Sequence, residues 1–357
     1  MRSANRRIHY LSIDGLKALS CLGIILMHIQ ANTEYKLYGN ILYDTIIPSF
    51  TWLVYLFLLI SAFGICSGYL EKFWDKSIDL EIFYKNRYKK ILPFFGFLIL
   101  IALIVSWDAN SFYEATIELL VLNGFLPNNE LSLLGVCWTL GVIFIFYFVF
   151  PALSVIYKRK KRAWACLAIS LWINYICDQY FFSDYFVAQS FTPRHSFIFC
   201  LPFFIMGGII FIYREKISNF CLNRDKEIMV LSALIIILWY LIPNNQDFII
   251  TLKCLVVYSL ILGVSIGCSP KFLKNRVLIF LSSISMEMYL AQMIIFRLIE
   301  KLGLLYLFGS SGVGGWLSLL LAFILVVFGL IIFILLYRTI FSVLKRNIQK
   351  VRNKYYI

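Results

Sequence analysis

The chain has 357 residues, of which 61% are hydrophobic and 18% aromatic, and its formal net charge is +14. Soluble domains are closer to half apolar, so this composition excludes a soluble enzyme and a disordered chain and indicates an integral membrane protein. Basic loops beside a membrane account for the positive charge, which therefore does not indicate a nucleic-acid partner.

About ten apolar segments follow one another along the chain, with lengths suited to membrane-spanning α-helices. No soluble domain separates them, and the first is expected to be retained because no small-residue cleavage site follows it. We predict an all-α, polytopic membrane protein that forms one bundle and a single domain over residues 1–357. The predicted spans are 13–31, 46–69, 91–107, 133–157, 163–180, 196–213, 228–243, 248–268, 277–299 and 315–338.

The basic residues give the expected orientation. Most of the 33 Lys and Arg lie in alternate loops, whereas the remaining loops are nearly free of them. Positive loops stay in the cytoplasm, so both termini are predicted to be cytoplasmic in a multi-pass protein of the cell (inner) membrane. The same loops are expected to attract anionic membrane lipids. The basic segments are the N-terminal tail, 70–90, 158–162, 214–226, 271–276 and the C-terminal tail.

The first span carries three ionisable side chains on one helical face, Asp14, Lys17 and His28. Asp14 and His28 are separated by about 21 Å along a helix, so Asp14 is expected to pair with Lys17 at the inner interface. His28 falls in the outer half of the span. Two interpretations stay open for it: a general base, or a side chain that hydrogen-bonds neighbouring helices.

Other polar groups are predicted at the same outer level. They are Gln292 and Arg297 in the ninth span, Lys253 in the eighth, and Arg194 with His195 at the mouth of the sixth. Burial and neighbouring cations both disfavour an imidazolium, so His28 is expected to stay neutral and able to accept a proton. Alternatively, Arg297 and Lys253 extend to the interface as anchors.

A cluster of cations precedes the third span, with Arg87 and Lys90 one helical turn apart and Lys89 beside them. A guanidinium and an ammonium at this spacing suit a polyphosphate. The alternative is a charge cluster that only fixes topology. The nine cysteines are scattered and form no CxxC or Cys–His pattern, so no metal site is predicted.

Five motifs together resemble the acyltransferase 3 family of membrane-bound acyltransferases. Each motif is short, but they occur in the family's order and cover most of the chain. They are Ser12–Leu19 with His28, Arg87-x-x-Lys90 before Pro93, Trp138-Thr139-Leu140 before Phe146-Tyr147 and Pro151, Arg194 before Leu201–Gly207, and Ile284–Leu290.

The resemblance implies transfer of an acyl group, usually acetyl from acetyl-CoA, to a hydroxyl of a cell-surface glycan such as a capsule, an O-antigen or a related glycolipid. It implies that His28 is the general base and that Arg87, Lys90, Lys89 and Lys17 bind the CoA donor. Residues near the acceptor would be Asp14, Trp138, Arg194, Tyr289, Gln292 and Arg297.

The sequence departs from the family pattern at three positions. Gln292 stands where many members have His, Ile143 stands where many have Glu, and Lys90 replaces the usual Arg. Gln292 can orient a hydroxyl but cannot take a proton, which leaves His28 as the predicted base within the spans. The competing function is a transporter or flippase for a lipid-linked sugar or amphiphile, which a helical bundle with an outer cationic cluster also permits.

Overall fold

The computed structural model describes residues 9–121, 123–125, 133–181, 192, 195–241 and 247–355. The described residues are 85% helix and contain no strand. One isolated backbone bridge joins Lys36 and Ser311. The all-α prediction is therefore confirmed.

The α-helices of the described residues are numbered in chain order. Helix α3 continues a run that starts with a π-helix at Leu42–Ile46 and a 3-10 turn at Phe50–Trp52. The helices are α1 Leu11–Ala31, α2 Ile47–Ser49, α3 Leu53–Trp74, α4 Leu80–Val105, α5 Ala109–Leu120, α6 Trp138–Tyr157, α7 Lys160–Ile176, α8 Phe197–Cys221, α9 Asp225–Leu241, α10 Asp247–Gly267, α11 Arg276–Lys301 and α12 Gly312–Tyr355.

Eight helical segments within the described residues are long and apolar enough to cross a membrane. They coincide with eight of the predicted spans, so this is a multi-pass membrane protein. The other two predicted spans, 163–180 and 228–243, coincide with α7 and α9, each of 17 residues. The number of crossings and the cytoplasmic termini stay predictions.

Helix ends differ from the span ends where polar sequence continues a helix. Helix α4 begins at Leu80, eleven residues before the predicted span, so the Arg87 and Lys90 cluster is helical. Helix α12 continues beyond residue 338 to Tyr355. Helix α5 lies between the predicted spans 91–107 and 133–157. Apolar segments predict the part of a helix that can lie within a bilayer. The helix itself ends where capping residues or the backbone conformation end it, which can be outside the bilayer.

The chain packs as two compact units. The first comprises Met1–Ser20 and Trp52–Ile279, and the second comprises Cys21–Thr51 and Phe280–Ile357. In the first unit, α3 and α8 pack closely at Gly207, where a Cβ would overlap the backbone of Leu59. Small residues let membrane helices approach each other in this way.

The Ser-Ile-Asp-Gly motif at the start of α1 is a packing motif within the first unit. The Ser12 hydroxyl donates to the Ser265 carbonyl at 2.5 Å. A Cβ on Gly15 would overlap the backbone of Leu273, so glycine permits this approach. These two residues therefore serve to fix the position of the segment that carries Asp14 and Lys17.

The second unit contains α11 and the part of α1 from Cys21 onward, and these two helices contact each other. The Cys21 thiol donates to the Ser285 carbonyl at 3.3 Å. Beyond the ends of both helices, the Tyr35 hydroxyl donates to the Leu305 carbonyl at 2.5 Å, and the Tyr306 hydroxyl accepts from the Glu34 amide at 2.9 Å. Cys21 contacts Ser285, and Tyr35, later in the chain than Cys21, contacts Leu305, later than Ser285. The two helices therefore run parallel.

Candidate functional site

His28 lies in the last turn of α1 and is partly buried. Its Nδ1 lies 3.0 Å from the carbonyl oxygen of Ile24, one turn earlier in the helix. A carbonyl oxygen only accepts hydrogen bonds, so Nδ1 carries the proton of this contact. In the neutral imidazole Nε2 then holds the lone pair, and this is the atom that can accept a proton.

At the start of α1, Asp14 contacts His9, whose Nε2 lies 3.0 Å from Asp14 Oδ2. The pairing of Asp14 with Lys17 stays a prediction. Lys17 is partly buried. Asp14 and Lys17 lie about one turn apart on the same side of the helix.

Arg87 is held between two tyrosines. Its guanidinium donates to the Tyr69 hydroxyl at 2.7 Å and lies 4.6 Å from the centroid of the Tyr69 ring. It also lies 5.8 Å from the Tyr147 ring. Arg87 Nε is buried and has no hydrogen-bond partner among the described residues. The aromatic rings thus fix the orientation of a partly buried guanidinium, while Lys89 and Lys90 are exposed.

Trp138 is the first residue of α6 and stacks on His195, with ring centroids 4.0 Å apart and planes inclined by 20°. His195 directly precedes α8, whose N-cap Ser196 accepts a hydrogen bond from the Ile198 amide at 3.2 Å. The pair presents an aromatic surface at the adjoining ends of two helices. Arg194, predicted beside it, lies outside the described residues.

Three predicted residues lie on α11. Tyr289 is partly buried, and Gln292 is buried with 1% exposure. Arg297 has a side chain that is 56% exposed, and its Nη1 lies 2.7 Å from Glu300 Oε2. Helix α11 is also tied to α12, because Arg338 pairs with Glu287 and donates to the Ser283 carbonyl at 3.0 Å.

The predicted residues divide between the two units. The first unit contains the basic residues that are predicted to bind the CoA donor, together with Trp138. Those in the second unit carry the imidazole and the buried amide. The first group comprises Asp14, Lys17, Arg87, Lys89, Lys90 and Trp138, and the second comprises His28, Tyr289, Gln292 and Arg297.

Sequence reasoning missed Glu118, a buried carboxyl group on α5. Its Oε1 accepts from the Leu134 amide at 3.2 Å, and Oε2 has no hydrogen-bond partner among the described residues. Glu114, one turn earlier, accepts from the Leu133 amide at 2.8 Å. The acidic segment was visible in the sequence, but the burial of one carboxylate depends on how α5 packs. The two side chains tie α5 to the turn that leads into Trp138.

The environment of Glu118 raises the pKa of its carboxyl group to about 8. Burial is the main cause, because it disfavours the ionised form, and the nearby Glu114 adds to the effect. The hydrogen bond from the Leu134 amide acts in the opposite direction. At the N-terminus of α5, by contrast, the Ser111 amide donates to Asp108 at 2.7 Å and lowers the pKa of that carboxyl group.

The titration of Glu118 is expected to make stability depend on pH. The pKa rises from an ordinary 4.5 to about 8 on folding, so between these values the folded chain binds more protons than the unfolded chain. The free energy of unfolding therefore falls as the pH rises through this window. Glu118→Gln keeps the acceptor without the charge, and we expect it to flatten the pH dependence of thermal unfolding in detergent and to be the more stable protein at about pH 9. Equal slopes for the two proteins would contradict this assignment.

No group of three or more His, Cys, Asp or Glu side chains in the described part of the chain could hold a metal ion. Residues 10–338 match a family model that is described as an acyltransferase domain. No curated protein and no solved structure matches the chain. The match includes every residue named above as a candidate for the site.

Proposed function

Because the chain belongs to the acyltransferase 3 family, we propose that it transfers an acyl group, acetyl in the first instance, from cytoplasmic acyl-CoA to a hydroxyl of a cell-surface glycan. The acceptor would be a capsule, O-antigen or related lipid-linked saccharide. The membrane would be the inner membrane of the cell. Membership in the family and the membrane-spanning helices support an acyltransferase that works within a bilayer.

His28 is the general base in this proposal, and its hydrogen bond to Ile24 is the observation that carries the assignment. That contact fixes the imidazole as the Nδ1–H tautomer, which leaves Nε2 as the basic atom. An ionisable side chain within a membrane helix is costly, and such residues commonly mark functional sites. A neutral imidazole is suited to take the proton of a sugar hydroxyl near neutral pH.

The donor phosphates would bind the basic end of α4. Arg87 supplies a planar fork whose orientation is set by Tyr69, and Lys90 lies one turn later on the same helix face. Lys89 and Lys17 add positive charge. The orientation predicted from the basic loops would put this end of α4 in the cytoplasm, where acyl-CoA is available.

The acceptor would bind beside polar and aromatic groups. The stacked Trp138 and His195 offer a flat surface for a sugar ring. Gln292 and Tyr289 provide hydrogen-bonding groups on α11. Arg194 remains a proposed contact, whereas Asp14 contacts His9 and Arg297 pairs with Glu300, and both would exchange or share these partners with the acceptor.

The proposed reaction is a direct transfer. The acceptor oxygen attacks the thioester carbonyl carbon, and its proton passes to His28 Nε2. The tetrahedral intermediate then collapses, the carbon–sulfur bond breaks, and the CoA thiolate takes the proton from His28. The products are the ester of the glycan and free CoA, and the imidazole returns to its neutral form.

The proposal is tested by mass spectrometry of surface polysaccharide from host cells with and without this protein. We expect equal amounts of polysaccharide in both, with O-acetyl groups missing when the protein is absent and restored by a plasmid-borne copy. Loss of the polysaccharide itself would instead identify a transporter or flippase. Unchanged acetylation and unchanged polysaccharide would contradict both functions.

A further inference from the structure

Gln292 is a buried amide on α11. The residue is 1% exposed, and neither Oε1 nor Nε2 has a hydrogen-bond partner among the described residues. Burying an unpaired polar group destabilises the folded protein relative to burying a paired one. A leucine or methionine of similar size would avoid that cost, so packing alone does not explain an amide at this position.

The register of the two helices in the second unit brings Gln292 to the level of His28. Helices α1 and α11 run parallel, and Cys21 contacts Ser285. His28 follows Cys21 by seven residues, and Gln292 follows Ser285 by seven. Seven residues advance a helix by about 10.5 Å and nearly two full turns, so His28 returns to the face of α1 that carries Cys21, and Gln292 returns to the face of α11 that carries Ser285.

The second anchor keeps the helices together beyond that level. The contact of Tyr35 with Leu305 follows His28 and Gln292 in both chain segments. The two residues therefore lie between these two contacts, His28 on the Cys21 side of α1 and Gln292 on the Ser285 side of α11. The imidazole of His28, with its basic Nε2, and the amide of Gln292, whose Nε2 has no hydrogen-bond partner among the described residues, thus lie at the same level of this helix pair.

We infer that Gln292 is a second catalytic residue of the proposed acyl transfer, whose Nε2 donates a hydrogen bond to the acyl carbonyl oxygen. This inference rests on the proposed function. When the acceptor oxygen attacks the carbonyl carbon, the carbonyl π electrons move to that oxygen, which becomes an oxyanion held by the amide. The proton of the attacking hydroxyl passes to His28. Return of the electrons expels the CoA thiolate, which takes the proton from His28.

An amide suits this task because it does not titrate. It remains a hydrogen-bond donor at every pH at which His28 is neutral, and it cannot compete with His28 for the proton. In a site with little water, a fixed donor aimed at developing charge stabilises the transition state more than it would in solution. The acyl oxygen would thus supply the partner that the buried amide lacks.

The inference is tested with purified protein, acetyl-CoA and O-deacetylated surface polysaccharide of the host. Gln292→Met keeps the length of the side chain and removes the donor. We expect kcat to fall by about 10²–10³-fold, the magnitude typical of a lost oxyanion donor, with little change in the KM for acetyl-CoA. Thermal unfolding should occur at the same or a higher temperature, because an unpaired buried amide has been removed.

Two further variants separate chemistry from packing. Gln292→Glu carries a donor only when protonated, so its activity relative to the unaltered protein should rise as the pH is lowered. Asn174→Leu is the matched buried amide in α7, where Nδ2 donates to the Ile198 carbonyl at 2.6 Å. It should lower the unfolding temperature and leave the kcat of the folded protein within a few-fold.

The outcomes distinguish this inference from the function on which it rests. If Gln292→Met retains normal kcat while His28→Ala is inactive, the acyltransferase assignment stands and the role of Gln292 is wrong. If Gln292→Met loses kcat and the Glu variant shows no pH-dependent recovery, Gln292 acts through packing and the inference is also wrong. If neither His28→Ala nor Gln292→Met alters transfer, the proposed site itself is wrong.

Discussion

His28→Ala is expected to abolish O-acetylation of the host's surface polysaccharide while the protein still inserts in the membrane. The variant removes the proposed base, and positioned general bases contribute about 10²–10⁴-fold to rate. The described residues of α1 offer no second proton acceptor near this level, since Asp14 lies about 21 Å away along the helix. The measurement is the O-acetyl content of the polysaccharide by mass spectrometry, with membrane levels of the protein determined by immunoblot.

Asn32, the residue directly after α1, provides a matched control. The Asn32 side chain donates to the backbone carbonyl of His28 at 2.9 Å and does not bond the imidazole through that contact. Asn32→Ala should therefore retain most of the acetylation. His28→Gln should be as inactive as His28→Ala, because an amide restores volume and polarity without a basic nitrogen. Acetylation that persists in a correctly inserted His28→Ala protein would overturn the assignment of the base.

The sequence was informative about the helices because a bilayer imposes length and hydropathy on what crosses it. Leu11–Ala31 was predicted to within two residues for this reason. The early start of α4 and the extension of α12 were not predicted, because charged residues outside the bilayer continue a helix as readily as apolar ones. Helix α5 was missed because it is short and lies in an acidic connection.

For the candidate site, the sequence indicated residue types and their order but few contacts. The face shared by Asp14, Lys17 and His28 follows from helical periodicity. The pairing of Asp14 with His9, the contact of Arg87 with Tyr69 and the burial of Glu118 do not. Each depends on how helices rotate about their axes and on rotamers chosen in packing, neither of which is encoded in spacing along one segment.

Gln292 also shows which information comes from the sequence and which comes only from helix packing. The sequence shows a glutamine at a position where many family members have histidine, and this alone predicts altered chemistry. Only the parallel packing of α1 and α11 brings that position to the level of His28. The burial of the Gln292 amide, at a position where many family members have histidine, is what suggests that this residue stabilises the transition state.

Arg87→Ala is expected to raise the KM for acetyl-CoA by roughly 10- to 100-fold, with a smaller effect on kcat. Hydrogen bonds to charged groups contribute about 1.5–3 kcal/mol, which corresponds to this range of affinity. The phosphates lie far from the thioester in an extended CoA, so their loss affects donor binding more than chemistry. Initial rates with radiolabelled acetyl-CoA, supported by direct measurement of CoA binding, give both parameters.

Three variants show whether the guanidinium acts as an oriented fork or only as one charge among several. Lys85→Ala removes a cation from the same segment at an exposed position about 160° around the helix from Arg87, and we expect donor affinity to change by less than about threefold. Arg87→Lys keeps the charge but loses the fork and should fall between the alanine variant and the unaltered protein. Tyr69→Phe removes only the hydroxyl that accepts from Arg87, and a lost hydrogen bond of about 1 kcal/mol predicts a rise in KM of about fivefold. If Arg87→Ala and Lys85→Ala bind CoA equally well, the basic cluster fixes only the topology of the helix, and the donor phosphates bind elsewhere.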